Sequence, residues 1–319
     1  MNRKTLVPMA GLMAAGVLFA GCGGNKGTAP AAGGEQKGTV GVSLLTMANP
    51  FFKVVGDNMQ SEGQKMGYDV NITAGEMDPA RQKDQVNDFI VKKVSAIVLS
   101  PVDSRSIGTS IKAANEAGIP VFTADIASMD PEAKVVSHVA TDNYGGGKLA
   151  GQAMVEALNG QGEVAIITHP EVESVIQRAR GFKEVVSQSP GIKIVAELPG
   201  KGERDTSYAT TQDILQSHPS LDGIFAINDP SALGAVAAIE KAGKSGKIKV
   251  IGFDGMPEAK QAVKDGTIYA DVVQYPDKIG QMTLQAIGKY MAGETVPPQT
   301  LIPAGLYTKV DADKDPSLK

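Results

Sequence analysis

The chain has 319 residues, a formal net charge of −4, and charged side chains at 21% of its positions. Apolar residues make up 42% of the sequence, a composition typical of globular proteins, and the length suffices for two ordinary domains. Beyond Lys92 and Lys93 the mature region has no run of positive charge, which disfavours a nucleic-acid-binding protein.

The N-terminal residues predict an export signal. Arg3 and Lys4 precede an apolar run over residues 6–19, and small residues then lead to Cys22. This order is typical of a secretory signal peptide, and the run is shorter than the about 20 apolar residues that a membrane span requires. We therefore expect residues 1–21 to be removed on export.

Cys22 is the only cysteine in the chain, so it has no intrachain disulfide partner. The segment 18–22, Leu-Phe-Ala-Gly-Cys, resembles the bacterial lipobox, in which the cysteine is diacylated and becomes the mature N-terminus. Phe19 departs from the usual leucine, and a plain signal peptide with a free thiol nearby is the alternative. Residues 22–38 have the composition of a flexible tether. We expect a lipid on Cys22 that holds an exported protein beside a membrane, in the periplasm or on the outer face of the cell membrane.

Short apolar runs alternate with amphipathic stretches from residue 39 onwards. The predicted strands are Val40–Leu45, Val70–Thr73, Ala96–Leu99, Pro120–Ala124, Val135–Val139, Val164–Thr168, Ile192–Ala196, Ile224–Ile227, Val250–Phe253 and Ala270–Gln274. Between them, Asn49-Pro50 and Asp78-Pro79 each predict a helix N-cap followed by a proline in the first turn. Continuous runs of Val, Ile and Leu are typical of parallel strands buried on both faces. The alternation predicts a doubly wound parallel α/β fold.

The sequence also repeats itself. Similar segments recur about 125 residues apart, namely 38–45 with 162–168, 96–99 with 223–226, and 119–125 with 248–254. Two lobes of the same fold therefore explain the chain better than one large sheet.

Polar residues stand where the predicted strands end. They are Asn49, Ser100 and Asp125 in the first half, and Asn228 with Asp229, Asp254 and Gln274 in the second, with Phe51 and Phe52 beside Asn49. Ligands of open parallel sheets bind beyond these carboxyl ends. Carboxylates accept hydrogen bonds from hydroxyl groups, and amides both donate and accept. The set predicts a cleft for a small polyhydroxylated ligand.

Each of these residues has a purely structural alternative. Asn49 could cap the following helix, with its amide nitrogen left free for a ligand. Phe52 could belong to the core. Asp125 and Asp254 could cap or turn the chain, and Asn228 could serve turn chemistry alone.

The mature chain resembles the periplasmic sugar-binding proteins of the ribose-binding type, which are the solute receptors of ABC importers. The resemblance rests on segments 49–52, 136–138, 141–143, 178–182, 225–229, 232–234, 252–255 and 274–277. It implies two similar lobes joined by a three-segment hinge, with crossings near residues 141–142, 274–275 and 302–303. The expected N-terminal lobe is 39–141 with 275–302, and the expected C-terminal lobe is 142–274 with 303–319.

The resemblance also implies a function. The protein would bind a monosaccharide or sugar-like polyol between its lobes by hinge closure, as a monomer without a cofactor, and deliver it to a membrane permease. The family's ligand contacts fall on Asn49, Phe51, Phe52, Asp125, Arg178, Asn228, Asp254 and Gln274. Ribose-type members carry arginine in place of Ile126, asparagine in place of Ser100, and an aromatic residue in place of Gly202. Because a guanidinium fork is lost, we expect a deoxy sugar, another pentose or hexose, or a polyol rather than ribose.

Other sequence motifs give weaker evidence of function. Residues 145–150 match Gly-x-Gly-x-x-Gly/Ala, but no suitable acidic residue follows and no Ser or Thr follows Lys148, so a plain helix N-terminus is expected. His138, His169 and His218 lack metal-ligand spacing, although His169 lies at a strand end as a possible ligand contact. No catalytic set can be assembled, so an enzyme is not expected. A receptor that feeds a chemosensory or signalling partner and a sugar-modifying enzyme remain the alternatives.

Overall fold

The computed structural model describes residues 37–318. The predicted signal peptide, the lipid attachment at Cys22 and almost all of the predicted tether lie outside the described residues. The strands are β1 Gly38–Leu44, β2 Tyr68–Ala74, β3 Ala96–Leu99, β4 Val121–Ala124, β5 Ser137–Thr141, β6 Gln161–Thr168, β7 Gly191–Pro199, β8 Gly223–Ala226, β9 Lys249–Asp254, β10 Ala270–Val273, β11 Gln299–Ile302 and β12 Gly305–Thr308.

Helices connect these strands. They are α1 Pro50–Met66, α2 Pro79–Val91, α3 Ile107–Glu116, α4 Asn143–Ala157, α5 Glu173–Val186, α6 Arg204–Ser217, α7 Asp229–Lys241, α8 Pro257–Asp265, α9 Pro276–Met291 and α10 Lys309–Ala312. No helix within residues 37–318 combines the length and the apolar character needed to cross a bilayer.

The two predicted N-caps are confirmed. Asn49 Oδ1 accepts a hydrogen bond of 2.9 Å from Phe51 N, and Asp78 Oδ1 accepts one of 2.8 Å from Ala80 N. Both caps satisfy a backbone N–H group that the first helical turn would otherwise leave without a partner. They fix where α1 and α2 begin, and hence where the loops after β1 and β2 end.

The strands form two sheets of six, and the predicted fold class of two doubly wound parallel lobes is confirmed. The first sheet has the order β2-β1-β3-β4-β5-β11 and the second has the matching order β7-β6-β8-β9-β10-β12. Adjacent strands are parallel except for β10 and β12, which are antiparallel. Both sheets therefore present the carboxyl ends of their central strands to the space between the lobes.

The sequence did not predict β11 and β12. These strands have the short sequences Gln-Thr-Leu-Ile and Gly-Leu-Tyr-Thr, and each lies at the edge of its sheet. An edge strand is covered on fewer sides than a central one, so it needs no continuous apolar run. The chain passes between the sheets after β5, after β10 and between β11 and β12.

Candidate functional site

A cavity lies between the lobes at the carboxyl ends of the strands. Its lining includes the predicted residues Asn49, Phe51, Phe52, Asp125, Arg178, Asn228, Asp254 and Gln274, together with His169. Each of these side chains is at most 9% exposed. The lobes are therefore closed over the cavity, and residues as far apart in the chain as Leu45 and Gln274 meet around it.

Ser100 requires a correction, because it does not line the cavity. It is fully buried, and its hydroxyl donates a hydrogen bond of 2.8 Å to the carbonyl oxygen of Ala124. Its own carbonyl accepts a hydrogen bond of 3.0 Å from Gln82 Nε2. Ser100 thus connects the ends of β3 and β4 from below the cavity instead of contacting a ligand.

Asn49 and the two phenylalanines come from the start of α1. Since Asn49 Oδ1 caps the helix, its amide nitrogen remains the group that can face the cleft. Phe51 and Phe52 pack edge to face, with ring centroids 5.3 Å apart and planes at 86°. Both rings are buried and line the cavity. They form its apolar wall on the side of the first lobe.

Asp125 directly follows β4, Asp254 ends the equivalent strand β9, and both have an unusual backbone conformation. Asp125 has φ +64° and Asp254 has φ +131°, in a region that non-glycine residues rarely occupy. Such conformations cost about 1–3 kcal/mol and concentrate at functional sites. The duplicated halves therefore place one carboxylate from each lobe against the cavity.

Burial changes the acidity of both carboxyl groups. It raises the pKa of Asp125 to about 7, an effect that the positive charge of Arg178 opposes. Burial also raises the pKa of Asp254, which the Arg178 charge and a hydrogen bond from Gln274 lower in turn. Both carboxylates therefore depend on donors around the cavity to stay ionised.

Arg178 is held rigidly from several sides. Its Nε donates to Asn143 Oδ1 at 2.8 Å, and its Nη1 donates to the carbonyl of Ile227 at 2.7 Å. The guanidinium carbon lies 3.9 Å from the ring centroid of Phe253, and Nη1 lies 3.4 Å from Asp254 Oδ1. A guanidinium fixed in this way offers its remaining N–H groups to the cavity at little further entropic cost.

Close packing of α4 and α5 puts Arg178 where it is. A Cβ atom at Gly147 would lie 2.1 Å from the carbonyl oxygen of Arg178, and one at Gly181 would lie 2.2 Å from that of Tyr144. The two helix backbones thus touch because both residues are glycines. The expectation that residues 145–150 open a helix near the inter-lobe crossing is confirmed by α4, whose N-cap is Asp142.

Asn228 has both of its amide groups engaged. Its Oδ1 accepts from Ser231 N at 3.0 Å and caps α7, and its Nδ2 donates to the carbonyl of Gly202 at 3.0 Å. Gly202 has φ +69° and lines the cavity without a side chain. A Cβ atom at Gly202 would lie 3.1 Å from Asn228 Nδ2 and 3.7 Å from His169 Nδ1, so a bound molecule would meet an edge of Asn228 beside this glycine.

Three buried acceptor atoms converge on the cavity. Asp125 Oδ1, Asp254 Oδ2 and Gln274 Oε1 have no hydrogen-bond partner within the described part of the chain, while Gln274 Nε2 donates to Asp254 Oδ1 at 2.7 Å. Buried acceptors are normally satisfied. This arrangement, with Arg178 as a donor beside it, suits a molecule that carries several hydroxyl groups.

Sequence reasoning missed several residues of the lining. These are Leu45, Thr46, Met77, Val172, Ser174, Val175 and Ile227. Met77 follows Glu76 in a loop where both residues have positive φ, 61° and 52°, and nothing in the sequence signals that conformation. Asn143 lay within a motif that supported the family resemblance, but its contact with Arg178 depends on how α4 and α5 pack.

The lobes also touch outside the cavity. The backbone N–H of Ser104, in the first lobe, donates to the carbonyl of Glu171 at 2.9 Å, and the N–H of Glu173 donates to Ser104 Oγ at 2.9 Å. Ser104 is fully buried. These two hydrogen bonds join the loop after β3 to the loop after β6 and so link the two lobes directly.

The histidines have different environments. His138 Nδ1 lies 2.8 Å from Thr123 Oγ1 in the interior of the first lobe, and burial lowers the pKa of His138 to about 4. His169 lines the cavity, where burial lowers its pKa. Within residues 37–318 no cluster of His, Cys, Asp and Glu has the geometry of a metal site.

Comparisons with known proteins agree with this architecture. Residues 40–295 match the family described as "Periplasmic binding protein domain". The ribose import binding protein of Salmonella typhimurium is 34% identical over 261 residues, which cover 82% of this chain and 87% of that protein.

Two solved structures are similar throughout. An ABC transporter periplasmic solute-binding protein from Actinobacillus succinogenes with bound D-allose has a TM-score of 0.80 and 29% identity, over 88% of this chain and 100% of the other. A solute-binding protein from Bacillus halodurans with bound myo-inositol has a TM-score of 0.81 and 27% identity, over 88% and 96%.

Proposed function

This chain belongs to the periplasmic binding proteins of the ribose-binding type, and on that premise we propose that it binds a monosaccharide or sugar-like polyol between its lobes and delivers it to the permease of an ABC importer. Its family consists of substrate-binding proteins rather than enzymes. The protein acts outside the cytoplasm, as its relatives do.

One observation carries the proposal for the ligand class. Buried acceptor oxygens of Asp125, from the first lobe, and of Asp254 and Gln274, from the second, surround one cavity without partners in the described chain. Hydroxyl groups would satisfy them, and Phe51 and Phe52 would cover the apolar face of a sugar ring. The missing arginine at Ile126 argues for a sugar other than ribose.

Ligand binding by lobe closure is the second element of the proposal. The cavity is lined from both lobes, so only the closed state can engage a ligand on all sides. The hinge would lie at the three inter-lobe crossings, with an N-terminal lobe of 39–141 and 275–302 and a C-terminal lobe of 142–274 and 303–319. A ligand then shifts the balance towards closure by its differential affinity for the two states.

The membrane attachment belongs to the proposal as well. A lipid on Cys22 and the tether that follows would keep a monomeric receptor near its permease. Replacing Cys22 with serine should release the protein from membranes when it is expressed in a bacterial host. If wild type and variant fractionate alike, the lipid anchor is refuted while the ligand proposal stands.

A thermal-shift screen followed by calorimetry tests the ligand proposal. The panel includes D-ribose, D-allose, myo-inositol, deoxy sugars and further pentoses, hexoses and polyols, and at least one should bind without being consumed. Small-angle scattering should show a smaller radius of gyration when that compound saturates the protein. Absence of binding across the panel refutes the proposed class, turnover of the compound favours an enzyme, and an unchanged radius with proven binding refutes closure.

A further inference from the structure

Two acidic side chains lie buried beneath the cavity in the second lobe. Asp229, the first residue of α7, is 2% exposed, and Asp271, in β10, is 0% exposed. Their Oδ1 atoms both lie against the same backbone position, Gly252. Neither Oδ1 atom has a hydrogen-bond partner in the described residues. Two ionised carboxylates this close in a buried site would repel each other strongly.

Gly252 makes room for the two acids. A Cβ atom on Gly252 would lie 2.9 Å from Asp271 Oδ1 and 3.4 Å from Asp229 Oδ1. Gly252 is also the register partner of Asp271 across β9 and β10. Both Oδ1 atoms therefore converge over one glycine of the central strand β9, and any side chain there would push the carboxyl groups apart.

The opposite oxygens of the two acids hold the turn after β9. Asp271 Oδ2 accepts a hydrogen bond of 3.1 Å from Gly255 N, and Asp229 Oδ2 accepts one of 2.7 Å from Met256 N. Gly255 and Met256 directly follow Asp254, whose φ is +131°. The two acids thus fix the strained turn that aims Asp254 at the cavity.

The pair also connects the ends of three strands. Asp229 adjoins Asn228 after β8, Asp254 ends β9, and Asp271 lies in β10, three positions before Gln274. We propose that Asp229 and Asp271 share a proton, and that the resulting O–H···O bond is the positioning element that holds Asn228, Asp254 and Gln274 for the ligand. The last step rests on the proposed function, whereas the shared proton does not.

The surroundings of the pair favour retention of a proton. Burial raises the pKa of Asp271 to about 7, with a further rise from the charge of Asp254 and an opposing effect from Lys260 in α8. Burial and the charge of Asp271 raise the pKa of Asp229 well above its usual range. Tyr307 of β12 is the register partner of Asp271, and the Lys260 ammonium lies 5.0 Å from the Tyr307 ring centroid. The single positive charge of Lys260 thus does not neutralise the two negative charges that Asp229 and Asp271 would carry if both were ionised.

Carbon-13 NMR of labelled aspartate carboxyl groups tests the shared proton without any ligand. In wild type, one carboxyl group of the pair should remain protonated above neutral pH. In Asp271→Asn the amide donates a permanent hydrogen, so the pKa of Asp229 should fall. Asp69→Asn, on an exposed position of β2, is the control and should change neither signal. If both acids are ionised at neutral pH, or if the pKa of Asp229 is unchanged in Asp271→Asn, the proposal is overturned.

Calorimetry tests the positioning role with the panel sugar that wild type binds most tightly. Asp271→Ala should weaken affinity about tenfold or more, because Asp229 loses its partner. Asp271→Asn should recover most of that loss. Wild-type affinity should decline as the pH rises and the last shared proton leaves, whereas the affinity of Asp271→Asn should not follow that decline.

The double variant Asp229→Asn/Asp271→Asn completes the test. The amide oxygen of each asparagine must accept from the backbone N–H of Gly255 or Met256. The two NH₂ groups would then face each other, and neither can accept a hydrogen bond from the other. Its affinity should therefore be lower than that of Asp271→Asn. If Asn and Ala at position 271 weaken affinity equally, or if the double variant binds as well as the single one, the positioning role is wrong. If no panel sugar binds wild type, the proposed function fails and the NMR result still decides the proton.

Discussion

The two lobes treat the same interior position in different ways. In the first, Thr123 of β4 is the register partner of His138 of β5, and the two side chains form a hydrogen bond of 2.8 Å. In the second, the corresponding strands β9 and β10 pair Gly252 with Asp271. Burial lowers the pKa of His138 to about 4 and raises that of Asp271 to about 7.

In both lobes burial favours the uncharged form of the residue beneath the cavity, but the two lobes connect that residue to the cavity through different groups. The first lobe links the ends of β3 and β4 with neutral groups, through the Ser100 hydroxyl and the Gln82 amide. The second lobe uses Asp229 and Asp271, and adds the charged pair of Arg178 and Asp254 above them. The two lobes therefore share a backbone arrangement, but the buried acid pair and the cation that faces the ligand both lie in the second lobe.

The largest effect is expected from removing that cation. Arg178→Met leaves Asp254 without its ion-pair partner and Asn143 and Ile227 without their donor. Loss of one partner of a buried pair costs about 3–5 kcal/mol. We expect no measurable sugar binding by calorimetry and a lower free energy of unfolding in urea. Arg180→Met is the matched control, since Arg180 is exposed and stacks on Tyr144, and it should bind normally.

Replacing each of the two cavity aspartates in turn by asparagine compares the lobes directly. Asp125→Asn and Asp254→Asn should each lower affinity by about 1.5–3 kcal/mol, roughly tenfold to a hundredfold, because a charge-assisted hydrogen bond to a hydroxyl is lost. Only Asp254→Asn should also release Arg178, and only it should lower the ligand-free stability through that ion pair. Unchanged calorimetric affinity in a folded variant would remove that residue from the site.

The two interior positions should give pH dependences of opposite sign. His138 has a lowered pKa, so the folded state binds fewer protons than the unfolded state between about pH 4 and 6.5, and stability rises with pH there. Asp271 has a raised pKa, so the folded state binds more protons between about pH 4 and 7, and its contribution falls as pH rises.

Urea denaturation from pH 4 to 8 separates these contributions. Compared with wild type, the stability of His138→Gln should rise less with pH between about pH 4 and 6.5. The stability of Asp271→Asn should fall less between about pH 4 and 7, a fall to which Asp125 also contributes. A variant whose profile runs parallel to that of wild type over this range would show that its residue does not titrate as the structure indicates.

The smallest effect concerns the contact that joins the lobes outside the cavity. Ser104→Ala removes the hydrogen bond from Glu173 N to Ser104 Oγ but touches no residue of the cavity. One such bond contributes about 0.5–1.5 kcal/mol. Since it links the two lobes that the proposed closure brings together, apparent affinity should drop by that amount while the ligand-free stability of each lobe is unchanged. Ser106→Ala, exposed on the same loop, should have no effect on calorimetric affinity.

The sequence alone determined the alternation of strands and helices, the two N-caps and the duplication. Continuous apolar runs predicted every central strand because burial on both faces leaves a local signal. Strand ends also pointed to Asn49, Asp125, Asn228, Asp254 and Gln274 as neighbours, since parallel strands bring their carboxyl ends together. All of these conclusions follow from local residue patterns, compared in the case of the duplication between segments about 125 residues apart.

Tertiary structure alone decided the remaining features. The edge strands β11 and β12 lack a periodic pattern, and Ser100 faces Ala124 instead of the cavity because of how β3 and β4 align. The approach of Asp229 to Asp271 requires that β10 pair with β9 so that Asp271 lies beside Gly252, and that α7 begin at the same point. Such contacts join residues far apart in the chain, and their protonation depends on burial that no local pattern encodes.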